Sequence, residues 1–403
     1  MGLTPHYSQQ SNNFSFLNKK YLIIFLLCSF LGLSLCATAF FKHPSRTLSP
    51  RFTDHFSHWG SAILFSKKGF DIYRKPSSEL CRHGIPPDIA LNINDNCSLD
   101  DMPAVEHGKL LRSFQINWQQ FPRAYPPGDV LYHAVIGFLY AKGLVDFSTA
   151  NWITIELYLL TAHLVFGLFT LLLLDPALTG SSKITQKALK FFIFSLLVLA
   201  YLLLMKWSLN GFYDPISIFF LLFSVLYYRQ QKPTAALLFF SIGLFLHFRA
   251  LWACPLLVFI FRDFYQKRSA IFTTRNIIII ILSVGLIVIS LYTLTIQLAQ
   301  LSAYDVNNSI FFNSEHHFTS ISLRLVPLLA MILVLLKARL YLLASLSAWQ
   351  LYMLTQMPSV QPWYNLFLLV FLAVAGTEPK SKTIALLTIF TFFLIESFGI
   401  FRN

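Results

Sequence analysis

The stretch NIIIIILSVGLIVISLYTLTIQL, residues 276–298, contains no charged side chain. An apolar run of this length can cross the hydrocarbon core of a bilayer, which is about 30 Å thick. The whole chain of 403 residues has a similar character, with 56% hydrophobic and 12% charged residues. Soluble globular proteins have roughly twice that charged fraction. The composition therefore predicts an all-α polytopic integral membrane protein, because a lipid-exposed backbone must satisfy its own hydrogen bonds.

Apolar runs recur along the chain and predict about 11 transmembrane helices. They lie at 21–41, 150–174, 191–206, 214–229, 234–247, 250–261, 276–298, 321–336, 340–355, 365–376 and 383–400. Several are shorter than the ~17–25 residues of an ordinary span. Prolines and charged residues interrupt them, which is typical of helices broken beside a cavity. Residues 132–145 form either a further short span or a re-entrant segment. The number of membrane crossings therefore differs by one between these two alternatives.

The basic residues predict the orientation of these helices. Lys and Arg gather in short connectors, which the positive-inside rule places in the cytoplasm. These connectors are 183–190, 229–232, 262–275, 337–339 and 380–382. No compact basic block accompanies the net charge of +13, which argues against nucleic-acid binding. We expect a bacterial inner-membrane protein with a cytoplasmic N-terminus, the endoplasmic reticulum membrane being the alternative.

This orientation divides the chain into four parts. Residues 1–20 form a cytoplasmic tail, 21–41 the first transmembrane helix, 42–129 an extracytoplasmic loop and 130–403 a multi-span helical domain. A loop as long as 42–129 is normally functional. It contains two cysteines, for which a disulfide and two free thiols are both open; they are Cys81 and Cys97.

Several short motifs occur in a fixed order. An aspartate, Asp54, follows the first helix, and the turn Gly69-Phe70-Asp71-Ile72-Tyr73-Arg74 and Tyr125-Pro126-Pro127 come later in the same loop. Beyond the loop come Asn210-Gly211-Phe212-Tyr213-Asp214-Pro215, His247-Phe248-Arg249 and Gln361-Pro362-Trp363-Tyr364. In this order the set resembles the GT-C superfamily of polytopic membrane glycosyltransferases. The last motif is similar to the family's H-P-W-Y loop, with Gln in place of His.

The resemblance implies an enzyme that transfers a sugar from a polyprenyl-phosphate donor to a lipid, glycan or protein acceptor on the extracytoplasmic face. The implied reaction is an inverting displacement in which a carboxylate takes the acceptor's proton and a cation stabilises the departing phosphate. The predicted base is Asp54, with Asp71 as the second choice. Their structural alternatives are a helix N-cap and an Asx-type turn, respectively.

Arg249 is the predicted phosphate ligand. A guanidinium inside an apolar hairpin costs about 2.5–3.5 kcal/mol on insertion scales, and such residues usually face a polar pathway. The alternative is a structural ion pair with Asp214. The other predicted substrate-binding residues are His55, His58, Tyr73, Arg74, Tyr125, Tyr213, Asp214, His247, Arg324, Trp363 and Tyr364.

No metal site is predicted, but a divalent cation held by Asp54, His55 and His58 stays open. Two other functions also stay open. Broken helices with intramembrane charge suit a transporter or flippase of glycolipid, although no second copy of the Asp54 loop indicates the expected inverted repeat. The second alternative is a non-catalytic subunit of a glycan-assembly complex with the same fold.

Overall fold

The computed structural model describes Ala62, Phe65 and residues 69–74, 126–145, 147–173, 183–209, 213–266, 273–303, 329–337, 340–356 and 366–375. These residues form helices and their connections, without a strand in this part of the chain. The predicted all-α class is thereby confirmed for the described residues. The predicted runs 21–41 and 383–400, and most of the loop 42–129, lie outside them.

The helices follow the apolar runs closely, and prolines define several of their boundaries. A 3₁₀ helix, Gly69–Tyr73, is followed by α1 Pro127–Ala141, α2 Phe147–Leu173, α3 Lys183–Leu209, α4 Asp214–Arg229, α5 Pro233–Leu246, a 3₁₀ helix Phe248–Ala253, α6 Pro255–Gln266, α7 Thr274–Ala303, α8 Tyr341–Gln356 and α9 Leu368–Ala375. Residues 329–337 are also helical. Proline lies in the first turn of α1, α4, α5 and α6, where its missing N–H leaves no hydrogen bond unmade.

Two described helices are long and apolar enough to cross a membrane, judged by length and composition. They are Trp152–Leu173 within α2 and Thr274–Ile296 within α7. Their surroundings differ, because 72% of the apolar window of the first is buried inside the protein but only 17% of the second. The first is therefore a central helix, whereas the second presents most of its apolar surface outward.

The polarity of α7 is reversed relative to a helix of a water-soluble protein. Its fully buried side chains among those described are Ser283, Ser290 and Thr293. Each hydroxyl donates to the backbone carbonyl four residues earlier, at 2.7, 2.7 and 3.1 Å. Between Ile277 and Tyr292 the exposed residues are all large apolar ones. Small polar residues facing neighbouring helices, with apolar residues facing outward, are typical of helix packing in lipid.

Helices α4 and α5 pack closely because small residues line their interface. A Cβ atom at Gly243 would lie 3.3 Å from the carbonyl oxygen of Ser217. The Ser217 hydroxyl donates to the carbonyl of Gly243 at 3.0 Å, and Ser224 donates to the carbonyl of Ala236 at 2.8 Å. Since α4 also contacts α2 and α9, it lies at the centre of the described bundle.

Arg229 brings the C-terminal ends of three helices together. From the last turn of α4 its guanidinium donates to the carbonyl of Leu172 in α2 and to that of Ala373 in α9, both at 2.8 Å. Leu172 and Ala373 lie in the last turns of their helices, where carbonyls have no partner within the helix. Helices α2, α4 and α9 therefore end at one level.

Helix α1 lies at the opposite end of α4. Its residue His133 contacts Tyr158 of α2, and the helical segment from Tyr158 to Leu172 is about 21 Å long at 1.5 Å per residue. Only a short turn around Gly143, with φ of +67°, separates α1 from the start of α2. Helix α1 therefore lies near the N-terminal end of α4, remote from Arg229.

Candidate functional site

A buried ion pair connects the start of α4 with the break that follows α5. Arg249 Nη1 lies 2.5 Å from Asp214 Oδ1, and the two side chains are 15% and 2% exposed. Helix α5 ends at Leu246, and His247 adopts an extended conformation before the 3₁₀ helix begins. This break directs Arg249 back towards Asp214. The ion pair that the sequence offered as the alternative for Arg249 is therefore present.

His247 is the second partner of Asp214. The backbone N–H of Arg249 donates to His247 Nδ1 at 3.0 Å, and a ring nitrogen that accepts carries no proton. The ring proton is then on Nε2, which lies 3.4 Å from Asp214 Oδ1. Asp214 also belongs to the first turn of α4, where the helix dipole stabilises a negative charge. The carboxylate thus has three sources of stabilisation.

A second group of buried polar side chains lies on α1 and α2. His133 Nδ1 lies 3.0 Å from Asp129 Oδ1 and 2.8 Å from the Asp129 carbonyl oxygen. On the other side of the ring, His133 Nε2 lies 2.6 Å from the hydroxyl of Tyr158. Asp129 and His133 are 0% exposed and Tyr158 is 1% exposed. The spacing of Asp129 and His133 in one helix places both on one face.

Tyr213 joins the two groups into one site. Its ring centroid lies 5.4 Å from that of His133 and 5.1 Å from that of His247. Its hydroxyl donates to the carbonyl of Leu246 at 3.4 Å, at the point where α5 ends. We call this site the buried polar cluster; its members are Asp129, His133, Tyr158, Tyr213, Asp214, His247 and Arg249.

Gly128 allows α1 to approach the site. A Cβ atom at this position would lie 2.4 Å from the carbonyl oxygen of Phe245. We expect Gly128→Ala to destabilise the fold by about 1–3 kcal/mol, because such a contact forces backbone shifts. Gly285→Ala is the matched control, since nothing lies within 4 Å of its added Cβ and alanine favours a helix. Thermal unfolding of both variants checks this; a Gly128→Ala protein as stable as the wild type would contradict the close contact.

The predicted second base lies in a separate turn. Gly69, with φ of +54°, begins the 3₁₀ helix that contains Asp71 and the fully buried Tyr73. Arg74 donates a backbone hydrogen bond to the Asp71 carbonyl at 2.9 Å and a side-chain hydrogen bond to the hydroxyl of Tyr292 in α7 at 3.1 Å. The side-chain hydrogen bond of Arg74 thus connects this turn to α7.

Many of the predicted site residues lie outside the described part of the chain. These are Asp54, His55, His58, Tyr125, Arg324, Trp363 and Tyr364, together with Cys81 and Cys97. The structure brings together Tyr213, Asp214, His247 and Arg249 from two separate sequence motifs. Within the described ranges, no three His, Cys, Asp or Glu side chains are grouped so that they could hold a metal ion.

Three members of the cluster were missed by the sequence analysis: Asp129, His133 and Tyr158. The detectable signal was an aspartate and a histidine four residues apart at the start of an apolar run, since ionisable residues in such runs are usually functional. Tyr158 had no signal of its own, because a tyrosine in a long apolar helix is ordinary.

The buried polar cluster combines groups that suit an anionic, hydroxyl-rich ligand. A guanidinium pairs readily with phosphate oxygens, carboxylates and tyrosine hydroxyls form hydrogen bonds with alcohols, and aromatic rings provide rigid apolar faces. No family model, curated protein or solved structure matches this chain.

Proposed function

We propose that the protein is a polytopic membrane glycosyltransferase of GT-C type with about 11 transmembrane helices. It transfers a sugar from a polyprenyl-phosphate donor to a lipid, glycan or protein acceptor on the extracytoplasmic face. The observation that carries the proposal is the group of Asp214, His247 and Arg249, buried where α4 begins and α5 ends. A charged group in such surroundings usually marks a substrate pathway.

The reversed polarity of α7 supports the membrane location. Its exposed residues include Ile278, Ile281, Leu282 and Val288, each more than half exposed. An apolar surface of this extent is unfavourable in water but is satisfied by lipid. The N-terminus is cytoplasmic in this proposal, and the membrane is the bacterial inner membrane or, alternatively, that of the endoplasmic reticulum.

The position of the cluster along α4 supports the extracytoplasmic face. Arg229, at the end of α4, belongs to one of the basic connectors that the positive-inside rule places in the cytoplasm. Asp214 is the first residue of this 16-residue helix, so the two lie about 22 Å apart along the helix axis. The cluster is therefore at the end remote from the basic connector, where donors attached to a lipid carrier replace cytoplasmic nucleotide-sugars.

Arg249 is suited to hold the donor's phosphate. Its side chain is 15% exposed, compared with 2% for Asp214, so the cation is the member of the pair that a ligand reaches more readily. A guanidinium presents its N–H donors in a planar fork that matches phosphate oxygens. When the bond between the sugar's C1 and the phosphate oxygen breaks, its electron pair moves to the phosphate, and a fixed cation there stabilises the transition state.

The test uses purified protein in proteoliposomes with a panel of labelled polyprenyl-phosphate sugars and a membrane lipid extract as the acceptor source. We expect one label to be transferred to an acceptor. We also expect Arg249→Lys to raise the KM for the donor at least about tenfold, because lysine keeps the charge but loses the guanidinium fork. Arg262→Lys is the matched control, since the side chain of Arg262 is 53% exposed at the other end of the bundle.

Two outcomes contradict the proposal. A label that crosses the vesicle membrane without being transferred indicates a transporter or flippase. A purified protein that neither transfers nor moves any label, but restores transfer when a second membrane fraction is added, indicates a non-catalytic subunit. In the first case the crossing rate of the Arg249→Lys protein shows whether the same cation serves transport.

A further inference from the structure

We propose that Tyr158, His133 and Asp129 form a proton relay that takes the proton of the acceptor hydroxyl. This inference rests on the proposed transfer reaction and names the group that acts as its base. The sequence predicts Asp54 for that role, so the relay is a competing assignment within the described part of the chain. Its three members are buried and come from two helices that pack against each other, and His133 is hydrogen-bonded to both Tyr158 and the Asp129 backbone.

The hydrogen bonds define the direction of the relay. The Asp129 carbonyl, 2.8 Å from His133 Nδ1, can only accept, so Nδ1 carries a proton. In the neutral ring Nε2 is then an acceptor, and the Tyr158 hydroxyl at 2.6 Å donates to it. The Asp129 carboxylate, 3.0 Å from Nδ1, stabilises the positive charge that the ring acquires when it takes up a second proton.

This order of groups, a hydroxyl, an imidazole and a carboxylate, is the order that activates hydroxyl groups in many enzymes. There the imidazole removes the hydroxyl proton, while the carboxylate orients the ring and stabilises its charged form. A tyrosine in the hydroxyl position can pass the proton on. It receives one from a bound alcohol as it gives its own to the imidazole.

The relay lies beside the predicted phosphate ligand. The ring centroid of Tyr213 is 6.4 Å from that of Tyr158 and 5.1 Å from that of His247, and His247 is hydrogen-bonded to the backbone of Arg249. One aromatic ring thus separates the relay from the groups around the phosphate ligand. A donor with its phosphate near Arg249 would place its sugar against the Tyr213 ring, with C1 facing the acceptor hydroxyl.

The proposed step balances as follows. The acceptor oxygen forms a bond to the sugar's C1 while the bond between C1 and the phosphate oxygen breaks, and the polyprenyl phosphate leaves with the electron pair. The acceptor's proton moves to the Tyr158 oxygen, and the Tyr158 proton moves to His133 Nε2. His133 leaves the step as an imidazolium paired with Asp129 and returns its proton to water after the products leave.

The test measures transfer by Tyr158→Phe in the proteoliposome assay. Phenylalanine keeps the ring, so we expect the KM for the donor to stay within about threefold of wild type while kcat falls by ~10²–10⁴, the range for loss of a positioned base. His133→Gln gives the same result, because the amide can still accept from Tyr158 but cannot take up its proton. Thermal unfolding of each variant confirms that it is folded.

Tyr132→Phe is the matched control. Tyr132 lies next to His133 and its hydroxyl is 3.4 Å from that of Thr161, so the variant loses a neighbouring hydroxyl without changing the relay, and we expect kcat to be unaffected. A folded Tyr158→Phe protein with kcat within about threefold of wild type overturns the relay while leaving the transfer reaction in place. Wild-type protein without any transfer removes both proposals, so the two failures are distinguishable.

Discussion

Replacing Arg249 with methionine is expected to lower the free energy of unfolding by about 3–5 kcal/mol. Methionine keeps most of the apolar stem, so the change removes the charge with little change in volume. The carboxylate of Asp214, only 2% exposed, then keeps His247 at 3.4 Å and the dipole of α4 but loses its cation. Denaturant unfolding in detergent micelles measures the difference.

Replacing Asp214, the other partner of the pair, should lower the free energy of unfolding by a smaller amount. In Asp214→Asn the remaining charge belongs to Arg249, whose side chain is 15% exposed and can turn towards water as long basic side chains do. The double variant Asp214→Asn/Arg249→Met should be more stable than Arg249→Met alone, because it leaves no buried charge without a counter-ion. The cycle of four proteins gives the coupling energy of the pair directly.

The exposed pair of Arg262 and Asp263 provides the control. These side chains are 3.3 Å apart and 53% and 15% exposed, and exposed pairs of this kind contribute about 0–1 kcal/mol. Arg262→Met should therefore change the stability little. If Arg249→Met costs no more than Arg262→Met, the Asp214–Arg249 pair is as solvated as an ordinary surface pair, and the buried cluster described above is wrong.

The helices of the described bundle were largely predictable from the sequence. Apolar runs longer than about ten residues favour helices over strands, and prolines mark where helices begin. The run predicted at 234–247 is α5, Pro233–Leu246. The prediction for the run at 250–261 was less accurate. Pro255 divides this run between a 3₁₀ helix and α6, and α6 continues through polar residues to Gln266.

The buried polar cluster was predictable only in part. Polar residues that interrupt apolar runs are a local signal in the sequence. This signal identified Asp214, His247 and Arg249. The sequence pattern places Asp129 at the end of a polar loop, whereas in the structure it belongs to the first turn of α1. Its connection to Tyr158 through His133 depends on how α1 packs against α2, and no pattern within either helix encodes that contact.

The contacts of Arg229 were likewise predictable only in part from the sequence. Its place in a basic connector predicted its side of the membrane, but not that its guanidinium donates to carbonyls of two other helices. Such contacts follow from three helices ending at one level, which is a property of the packed bundle. Basic residues near helix C-termini are nevertheless favoured there by the dipole, so a partial signal was present.

Arg229→Gln is accordingly expected to destabilise the bundle by about 1.5–6 kcal/mol, since it removes one or both of two hydrogen bonds from a charged donor, each of which contributes roughly 1.5–3 kcal/mol. Glutamine is too short to reach both the Leu172 and Ala373 carbonyls, so at least one loses its donor. Arg229→Lys should be intermediate, because the ammonium keeps the charge near the three helix ends but has no planar fork. Unfolding in detergent micelles measures the series.

The neighbouring Lys232 separates this effect from a general loss of positive charge. It is exposed, and its ammonium lies 5.9 Å from the centroid of the Tyr227 ring, a contact that contributes about 0.5–1 kcal/mol at exposed sites. Lys232→Gln removes the same charge from the same connector but no hydrogen bond to a helix end, so its cost should stay in that range. Equal costs for the two variants would mean that Arg229 acts through its charge alone. A larger cost for Arg229→Gln means that its guanidinium acts as a shared cap for the C-terminal ends of α2 and α9.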